Sequence, residues 1–286
     1  MSPVEIGMLS VVAIVVLVYM GLYIPIALGL VSFVSVWIMS GKSILAFNFL
    51  KIAVGDGVTE YNFATIPLFT LMGLLVSKAG LGRDIYDVMN STFRKVLAGI
   101  GMATVGANAV FAAITGSSIA SASVFTKISV PEMLRYNYNK RFAVGVVAGS
   151  SVLGMIIPPS AMLIIYSFIS EQSVGDMFLA GIVPGLLLTG AYIFAIFAMA
   201  RIWPSYIGQD IKADEMPALD TSETIHKAWP VIALIFLVLG GIYTGWLTPV
   251  EAGAAGASLA LVIAALRKSM SWNGLWSTLV ETGHIT

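Results

Sequence analysis

Apolar stretches close to the length of a membrane-crossing helix constrain what this chain can fold into. A helix needs about 20 apolar residues to span the hydrocarbon core of a bilayer. Apolar residues make up 58% of the 286 residues and charged residues only 10%, whereas soluble domains carry about 25% charged residues. The sequence therefore predicts an all-α polytopic membrane bundle. Its apolar stretches are 6–23, 24–39, 63–77, 96–130, 142–168, 177–200 and 229–266, the last holding two spans joined at GWLTP.

Shorter amphipathic segments and polar intervals separate these stretches. SILAFNFLKIAV (43–54) and SWNGLWSTLVETG (271–283) repeat apolar residues at helical spacing, which predicts helices lying in the membrane interface. Only the last of the polar intervals has the composition of a soluble linker. These intervals are 80–95, 131–141 and 204–227.

Composition also disfavours several classes of function. The 15 basic and 15 acidic residues balance, so no nucleic-acid partner is expected. Cysteine is absent, and His226 and His284 lie far apart, which argues against disulfides and transition-metal centres. Neither GxSxG nor HExxH occurs, so we predict that the chain is not an enzyme. The first apolar stretch follows no basic region and precedes no small-residue cleavage site, which predicts a retained span.

The distribution of lysine and arginine predicts the orientation, because cytoplasmic loops carry the excess of these residues. We place the N-terminus in the periplasm and let segment 96–130 enter and leave on one side. Twelve of the 15 basic residues are then cytoplasmic, Lys42 and Lys51 are outside, and Lys127 is within the hairpin. A single crossing would instead place the three basic residues of 131–141 outside. The charges therefore favour an even number of passes.

The segment ITGSSIASAS (114–123) interrupts an apolar stretch with small and hydroxylic residues. The stretch 96–130 is 35 residues long, and two full passes would need about 40. We therefore predict a re-entrant hairpin with its tip at 115–118. Backbone that leaves helical geometry at membrane depth must be buried in protein or line a wet cavity, and small residues permit this. Close helix packing is the alternative explanation.

The segment GSSVLGMIIPPSAML (149–163) predicts a second interruption. Pro158 and Pro159 remove two backbone donors, and their rings oppose the preceding turn, so the helix should break between Gly154 and Ser160. A break leaves carbonyl groups that suit a small cation and N–H groups that suit a carboxylate. We expect the second half to begin at Pro159 or Ser160, with Ser160 as its cap. A kink that serves only packing is the alternative.

Two segments that begin at Pro25 and Pro249 resemble each other weakly. Each has a glycine four residues on, an apolar span, a Lys-Ser pair and an amphipathic arm that ends in glycine. The charge distribution gives them opposite directions, which indicates inverted repeats of the kind found in secondary transporters; chance similarity is the alternative.

The repeat suggests a division of the chain. The second copy stops after its arm, so we expect either a fragment or a second polypeptide that supplies the other half. We divide the chain into a first repeat, 1–228, and the start of a truncated second repeat, 229–286. The first repeat would contain scaffold helices (1–57), the hairpin (about 96–131), the broken helix (about 141–170) and a cytoplasmic linker (204–228).

Essentially the whole chain resembles the large membrane subunit of tripartite ATP-independent periplasmic (TRAP) transporters. The resemblance is most specific at Gly-Ser-Ser (116–118), Pro-Glu-Met (131–133) and 154–160. It implies an elevator-type, sodium-driven transporter of the ion-transporter superfamily in the bacterial inner membrane. The substrate would be an organic acid anion, such as a C4-dicarboxylate or a sialic acid. A periplasmic substrate-binding protein and a small four-helix membrane subunit would be its partners.

The same resemblance implies the positions of an ion site and a substrate site. Na⁺, the coupling ion and the expected cofactor, would bind between hairpin tip and break through hydroxyl and carbonyl oxygens. The Na⁺ candidates are Gly116, Ser117, Ser118, Gly154 and Pro158. The substrate carboxylate would lie at the N-terminal ends of the second half-helices. The substrate candidates are Thr115, Ser118, Pro159, Ser160, Ser150 and Ser151.

Other polar residues receive structural interpretations. We interpret Asn108 as a partner in an interhelical hydrogen bond, Glu251 as an end-of-helix group and Glu132 as a pairing or capping residue. Two other functions stay open: a stand-alone anion symporter or exchanger that needs no binding protein, and a membrane assembly subunit that transports nothing. The two interruptions favour transport, because an inert scaffold has no need of unwound helices.

Overall fold

The computed structural model describes residues 2–59, 61–208 and 219–286, and the regular structure within them is helical. The chain forms two compact units, 1–63 and 64–286. The first unit contains α1 (Pro3–Tyr19), α2 (Ile24–Ser40) and α3 (Ser43–Thr59). A 3₁₀ turn at Tyr61–Ala64 follows α3.

The first unit confirms the predicted pair of apolar helices and the helical state of segment 43–54 after them. A capping box begins α1, in which Ser2 and Glu5 exchange hydrogen bonds of 3.0 and 3.3 Å. The hydroxyls of Ser10 and Ser35 lie 2.7 Å apart and join α1 to α2. Most large apolar side chains of both helices remain exposed, as expected of helices that face lipid.

The second unit contains the hairpin, the broken helix and the remaining spans. Its helices are α4 (Thr65–Lys78), α5 (Leu81–Phe93), α6 (Gly99–Thr115), α7 (Ser118–Arg135), α8 (Lys140–Ser151), α9 (Leu153–Ile156), α10 (Ala161–Ile169), α11 (Val174–Ile202), α12 (Pro204–Ile207), α13 (Thr221–Ile235), α14 (Gly241–Tyr243), α15 (Pro249–Leu266) and α16 (Trp272–Ile285). A π-helical turn, Phe236–Gly240, joins α13 to α14.

Helix α6 lies at the centre of the second unit. Every residue from 99 to 108 is buried, and α4, α5, α7, α8, α9 and α11 all pack against the helix. Its small residues permit this crowding: a Cβ atom on Gly101 would lie 3.3 Å from Ile196 Cγ2, and one on Gly106 would lie 3.2 Å from Met89 Sδ. Close approach of this kind is how membrane helices gain dispersion energy without a hydrophobic driving force.

Most predicted elements are confirmed, and helices extend into the polar intervals. The interval 80–95 contains α5, which buries Leu81 and Ile85 on one face and leaves its charges on the other. Helix α7 continues through Pro131 to Arg135. The proline removes the one helical hydrogen bond that its nitrogen would donate to the carbonyl of Lys127, near the end of the helix.

Within the described residues, three helices are long and apolar enough to cross a membrane: α11, the continuous helix Thr221–Tyr243, and α15. Two bent pairs raise the number to five at most. These are α4 with α5, bent by 67°, and Lys140–Ile156 with α10, bent by 42°. The predicted linker 204–228 includes residues 209–218, which lie outside the described residues.

Ionic contacts join the corner between α4 and α5 to later helices. Asp84 pairs with Arg267 at the end of α15, and Asp87 Oδ2 lies 2.5 Å from Lys227 Nζ in α13. Lys78 Nζ donates to Ser277 Oγ of α16 at 2.7 Å. Because these groups are partly exposed, each pair contributes about 1 kcal/mol or less.

Helix α15 packs against α4 through a face of small residues. A Cβ atom on Gly253 would lie 3.0 Å from Leu68 Cβ, and one on Gly256 would lie 2.8 Å from Val238 Cγ2 and would collide with Met72 Sδ. The N-terminus of α15 is fixed by a capping box between Thr248 and Glu251. The interpretation of Glu251 as an end-of-helix group is therefore confirmed.

We predict that Gly256→Leu lowers the free energy of unfolding by about 1–3 kcal/mol, because the added side chain overpacks the α4–α15 contact. Thermal unfolding of the detergent-solubilised protein measures this as a lower Tm. Ser258→Leu is the matched control, since Ser258 lies on the same helix and is exposed. Equal loss of stability in both variants would contradict this account of the contact.

Candidate functional site

The hairpin reverses direction at two residues, Gly116 and Ser117. Gly116 has φ +59°, a conformation that glycine adopts without steric cost, and its N–H donates to Ala112 O at 3.0 Å. Ser117 is the N-cap of α7, and its Oγ accepts a hydrogen bond from Ala120 N at 3.3 Å. The predicted tip at 115–118 is therefore confirmed as a turn.

The broken helix unwinds between α9 and α10, as predicted. Ile157 N–H donates to Leu153 O at 2.8 Å, and the two prolines that follow supply no donor. Ser160 occupies the N-cap position of α10, but its side chain makes no capping bond. Its Oγ donates instead to Met155 O at 2.7 Å. The predicted cap position at Ser160 is therefore confirmed, although its hydroxyl serves a carbonyl that the proline at 159 leaves without its helical donor.

Tip and break meet through backbone atoms, and two glycines make this possible. A Cβ atom on Gly116 would collide with Pro159 O and lie 3.3 Å from Ser160 Cα. A Cβ atom on Gly154 would lie 2.8 Å from both Ser117 C and Ser118 N. Ala161 N–H donates to Gly116 O at 3.4 Å. The structure thus brings together most of the predicted site residues.

Two neighbouring helices also approach this junction through glycine. A Cβ atom on Gly73 of α4 would lie 3.1 Å from Thr115 Cβ. On α11, a Cβ atom on Gly181 would lie 2.6 Å from Ile156 O, and one on Gly185 would lie 2.6 Å from Ile157 Cγ1. The sequence analysis did not single out these three glycines. The segment GIVPG (181–185) could have indicated the two on α11, because GxxxG is a helix-packing motif.

The remaining substrate candidates lie on either side of the junction with their hydroxyls engaged. Thr115 Oγ1 donates to Phe111 O at 3.0 Å, and Ser151 Oγ donates to Ala148 O at 2.8 Å. Ser150 Oγ donates to Val146 O and accepts from Asn108 Nδ2, each at 2.7 Å. The interpretation of Asn108 as an interhelical partner is therefore confirmed, because this bond joins α6 to α8.

The junction combines four helix ends of two polarities. Helix α6 and the α8–α9 segment end there, whereas α7 and α10 begin there. Carbonyl groups at C-terminal ends carry partial negative charge, and N–H groups at N-terminal ends carry partial positive charge. Hydroxyl and carbonyl oxygens are the ligands that hard cations prefer, and helix N-termini suit carboxylates. The arrangement is therefore chemically suited to hold a small cation beside an anion.

We predict that Gly154→Ala displaces the hairpin tip, because the added methyl group collides with the backbone between Ser117 and Ser118. The chain has no cysteine, so a single Ser118→Cys reports this position alone. Its half-buried side chain should react faster with a maleimide in the Gly154→Ala background. Gly145→Ala is the matched control, since a Cβ atom there meets nothing within 4 Å. Equal rates in both backgrounds would contradict the close approach.

Comparisons with known proteins identify the family of the chain. The family described as "Tripartite ATP-independent periplasmic transporter, DctM component" matches residues 11–286. The C4-dicarboxylate TRAP transporter large permease protein DctM of Pseudomonas aeruginosa is 32% identical over 242 residues, which cover 83% of this chain and 55% of the relative.

Other relatives carry different substrate names. The sialic acid TRAP transporter large permease protein SiaM of Vibrio cholerae is 27% identical over 84% of this chain and 55% of its own length. The 2,3-diketo-L-gulonate TRAP transporter large permease protein YiaN of Escherichia coli is 29% identical over 81% of this chain and 53% of its own length. The chain spans about half the length of these curated relatives. With the family matching nearly all of its residues, the chain belongs to the DctM family of TRAP transporter large permease subunits.

Proposed function

We propose that this chain is part of a permease that moves an organic acid anion across the inner membrane together with Na⁺. The observation that carries the proposal is the junction of two helix C-termini and two helix N-termini, held by backbone contact at Gly116 and Gly154. Family membership supports it, since the relatives are permeases named for C4-dicarboxylates, sialic acid and 2,3-diketo-L-gulonate, each an organic acid.

The proposed Na⁺ site lies at the tip and break, with ligands among the hydroxyls and carbonyls of Gly116, Ser117, Ser118, Gly154 and Pro158. The substrate carboxylate would lie at the beginnings of α7 and α10, beside Ser118, Pro159 and Ser160. The proposed substrate contacts also include Thr115, Ser150 and Ser151. Each of these hydroxyls now donates to a carbonyl of its own helix, so it would have to rearrange to contact the substrate. A substrate contact by Ser150 also competes with its bond from Asn108.

The proposed coupling between Na⁺ binding and anion binding follows from the charges of the two ligands and from the ordering of the hairpin tip. Na⁺ bound first would offset the charge of the anion and fix the tip against the break, so each ligand would favour the state that the other stabilises. In the proposed elevator movement, hairpin and broken helix would travel together, which their mutual backbone contacts support. The amphipathic helix α16, which packs against α4, would brace the moving part.

The proposal extends to partners and orientation. A periplasmic binding protein would deliver the acid, and a small four-helix membrane subunit would complete the transporter. The N-terminus would lie in the periplasm, because that orientation places twelve of the 15 basic residues in the cytoplasm.

We predict that Na⁺ slows maleimide labelling of a single Ile119→Cys, compared with choline at equal ionic strength. Ile119 is 78% exposed and follows the tip directly, so an ion that orders the tip should protect it. A single Ser123→Cys, exposed and further along α7, is the control and should label equally in both salts. Protection should disappear when Ser117→Ala and Ser118→Ala are added. Equal labelling rates of Ile119→Cys in Na⁺ and in choline would overturn the proposed ion site.

An uptake assay in proteoliposomes tests the proposed function in the whole transporter. Proteoliposomes would contain this chain with the further permease sequence that the longer relatives carry, the small subunit and the binding protein. We predict uptake of a radiolabelled organic acid that requires a Na⁺ gradient and falls at least about tenfold in Ser117→Ala/Ser118→Ala, since loss of a charge-assisted bond costs about 1.5–3 kcal/mol. Ser123→Ala should leave uptake unchanged. Uptake without the binding protein would favour a stand-alone symporter, and uptake without a Na⁺ gradient would exclude sodium coupling.

A further inference from the structure

A groove of about 210 Å³ lies between α8 and α11, and its lining reaches Ser150 beside the junction of tip and break. Its floor is a glycine pair on one face of α8, Gly145 and Gly149, which are spaced as in GxxxG. Apolar side chains of α11, including Ile196 and Met199, form the opposite wall. The groove is open along one side and its lining is almost entirely apolar, so an apolar ligand fits it.

The size of the groove favours a thin ligand. GxxxG faces commonly receive a second helix, and a helix with side chains is about 10–12 Å across. Tyr192 of α11 lies beside Gly149, because a Cβ atom on Gly149 would be in ordinary van der Waals contact with its ring, at 3.7 Å. Beside Gly145 nothing lies within 4 Å. The volume of about 210 Å³ therefore favours an extended hydrocarbon chain over a helix.

The mouth of the groove carries positive charge. Arg141 in the first turn of α8 and Tyr206 of α12 both line it. The α12 turn is held beside α8 by the hydrogen bond from Asn139 N to Ile207 O, 2.7 Å long. The described residues form ion pairs at Asp84–Arg267 and Asp87–Lys227, so the Arg141 guanidinium belongs to neither.

Two further features favour an anion at the mouth. Lys140 precedes Arg141 at the exposed beginning of α8, and the N-terminal end of a helix carries partial positive charge. Among the described residues that line the groove, Arg141 is the only one with a charged side chain. From Arg141 to Gly149 the groove follows α8 for about 12 Å, inward from the helix end.

From these contacts we infer that the groove binds one acyl chain of an anionic phospholipid, with the lipid phosphate held by Arg141 and the Tyr206 hydroxyl. A basic residue at the end of a membrane helix attracts acidic headgroups, and the apolar slot beside it accepts the attached chain. The lipid would lie between α8, which continues into the break, and α11, whose glycines receive the break. The inference rests on neither the identity of the transported acid nor the coupling ion, and it shares with the proposed substrate site only Ser150.

The test uses the purified chain in nanodiscs of phosphatidylcholine that contain a small fraction of photoreactive phosphatidylglycerol, its diazirine on the acyl chain. Crosslinked residues are mapped by mass spectrometry. We expect crosslinks concentrated on groove residues of α8 and α11. Arg141→Gln should lower crosslinking at the groove about fivefold, the equivalent of the roughly 1 kcal/mol that one basic residue contributes near an acidic surface. Gly145→Leu should abolish it by filling the slot.

Matched controls separate the groove from general lipid contact. Arg135→Gln removes an exposed cation at the end of α7, and Gly190→Leu adds the same side chain at an open position of α11 outside the groove. Both should leave crosslinking at the groove unchanged. An equal yield with photoreactive phosphatidylcholine would overturn the headgroup assignment. Crosslinks spread evenly over all lipid-facing helices would overturn the lipid site. A polypeptide found crosslinked in the groove of the complete transporter would overturn it as well. Thermal unfolding of each variant confirms that it remains folded.

Discussion

The need to satisfy backbone polar groups away from water is the constraint on which this structure depends. A helix that unwinds inside a membrane leaves N–H and carbonyl groups without helical partners. Here the break and the hairpin tip supply part of what each other lacks, since Ala161 N–H donates to Gly116 O and the Ser160 hydroxyl serves Met155 O. Without these bonds, each unwound segment would cost several kcal/mol in a low-dielectric interior.

Close approach makes this exchange possible, and glycine makes close approach possible. Gly116 and Gly154 bring two backbones together, while Gly181 and Gly185 let α11 support the break from another side. A methyl group at any of these positions would meet an atom at 3.0 Å or less. The same principle extends to α6, which is surrounded because its glycines and alanines take little space. The centre of the second unit is thus rigid and close-packed, which is the preorganisation that a small ion site requires.

Charged side chains lie at the ends of the spans and not, like the glycines, at the junction. The ion pairs of Asp84 and Asp87 lie at the ends of spans and are partly exposed, and Glu251 serves a helix cap. The junction itself offers hydroxyls and backbone dipoles, which suit a cation and an anion that bind together without leaving a permanent buried charge. The groove at Arg141 follows the same division, with its cation at the helix end and an apolar slot extending inward.

The sequence by itself determined the class of the molecule and the places where its helices are interrupted. Low charge and apolar length favour a membrane bundle, and two adjacent prolines or a glycine-serine turn disfavour a continuous helix, so interruptions at 115–118 and 154–160 were predictable from local chemistry. The contacts across these interruptions were not, because they depend on residues far apart in sequence: Gly73 meets Thr115, and Gly181 meets Ile156. The partner of the Ser160 hydroxyl, Met155 O, likewise became known only from the structure. Local sequence fixes where a helix must end, but only the tertiary structure decides which distant atom completes its hydrogen bonds.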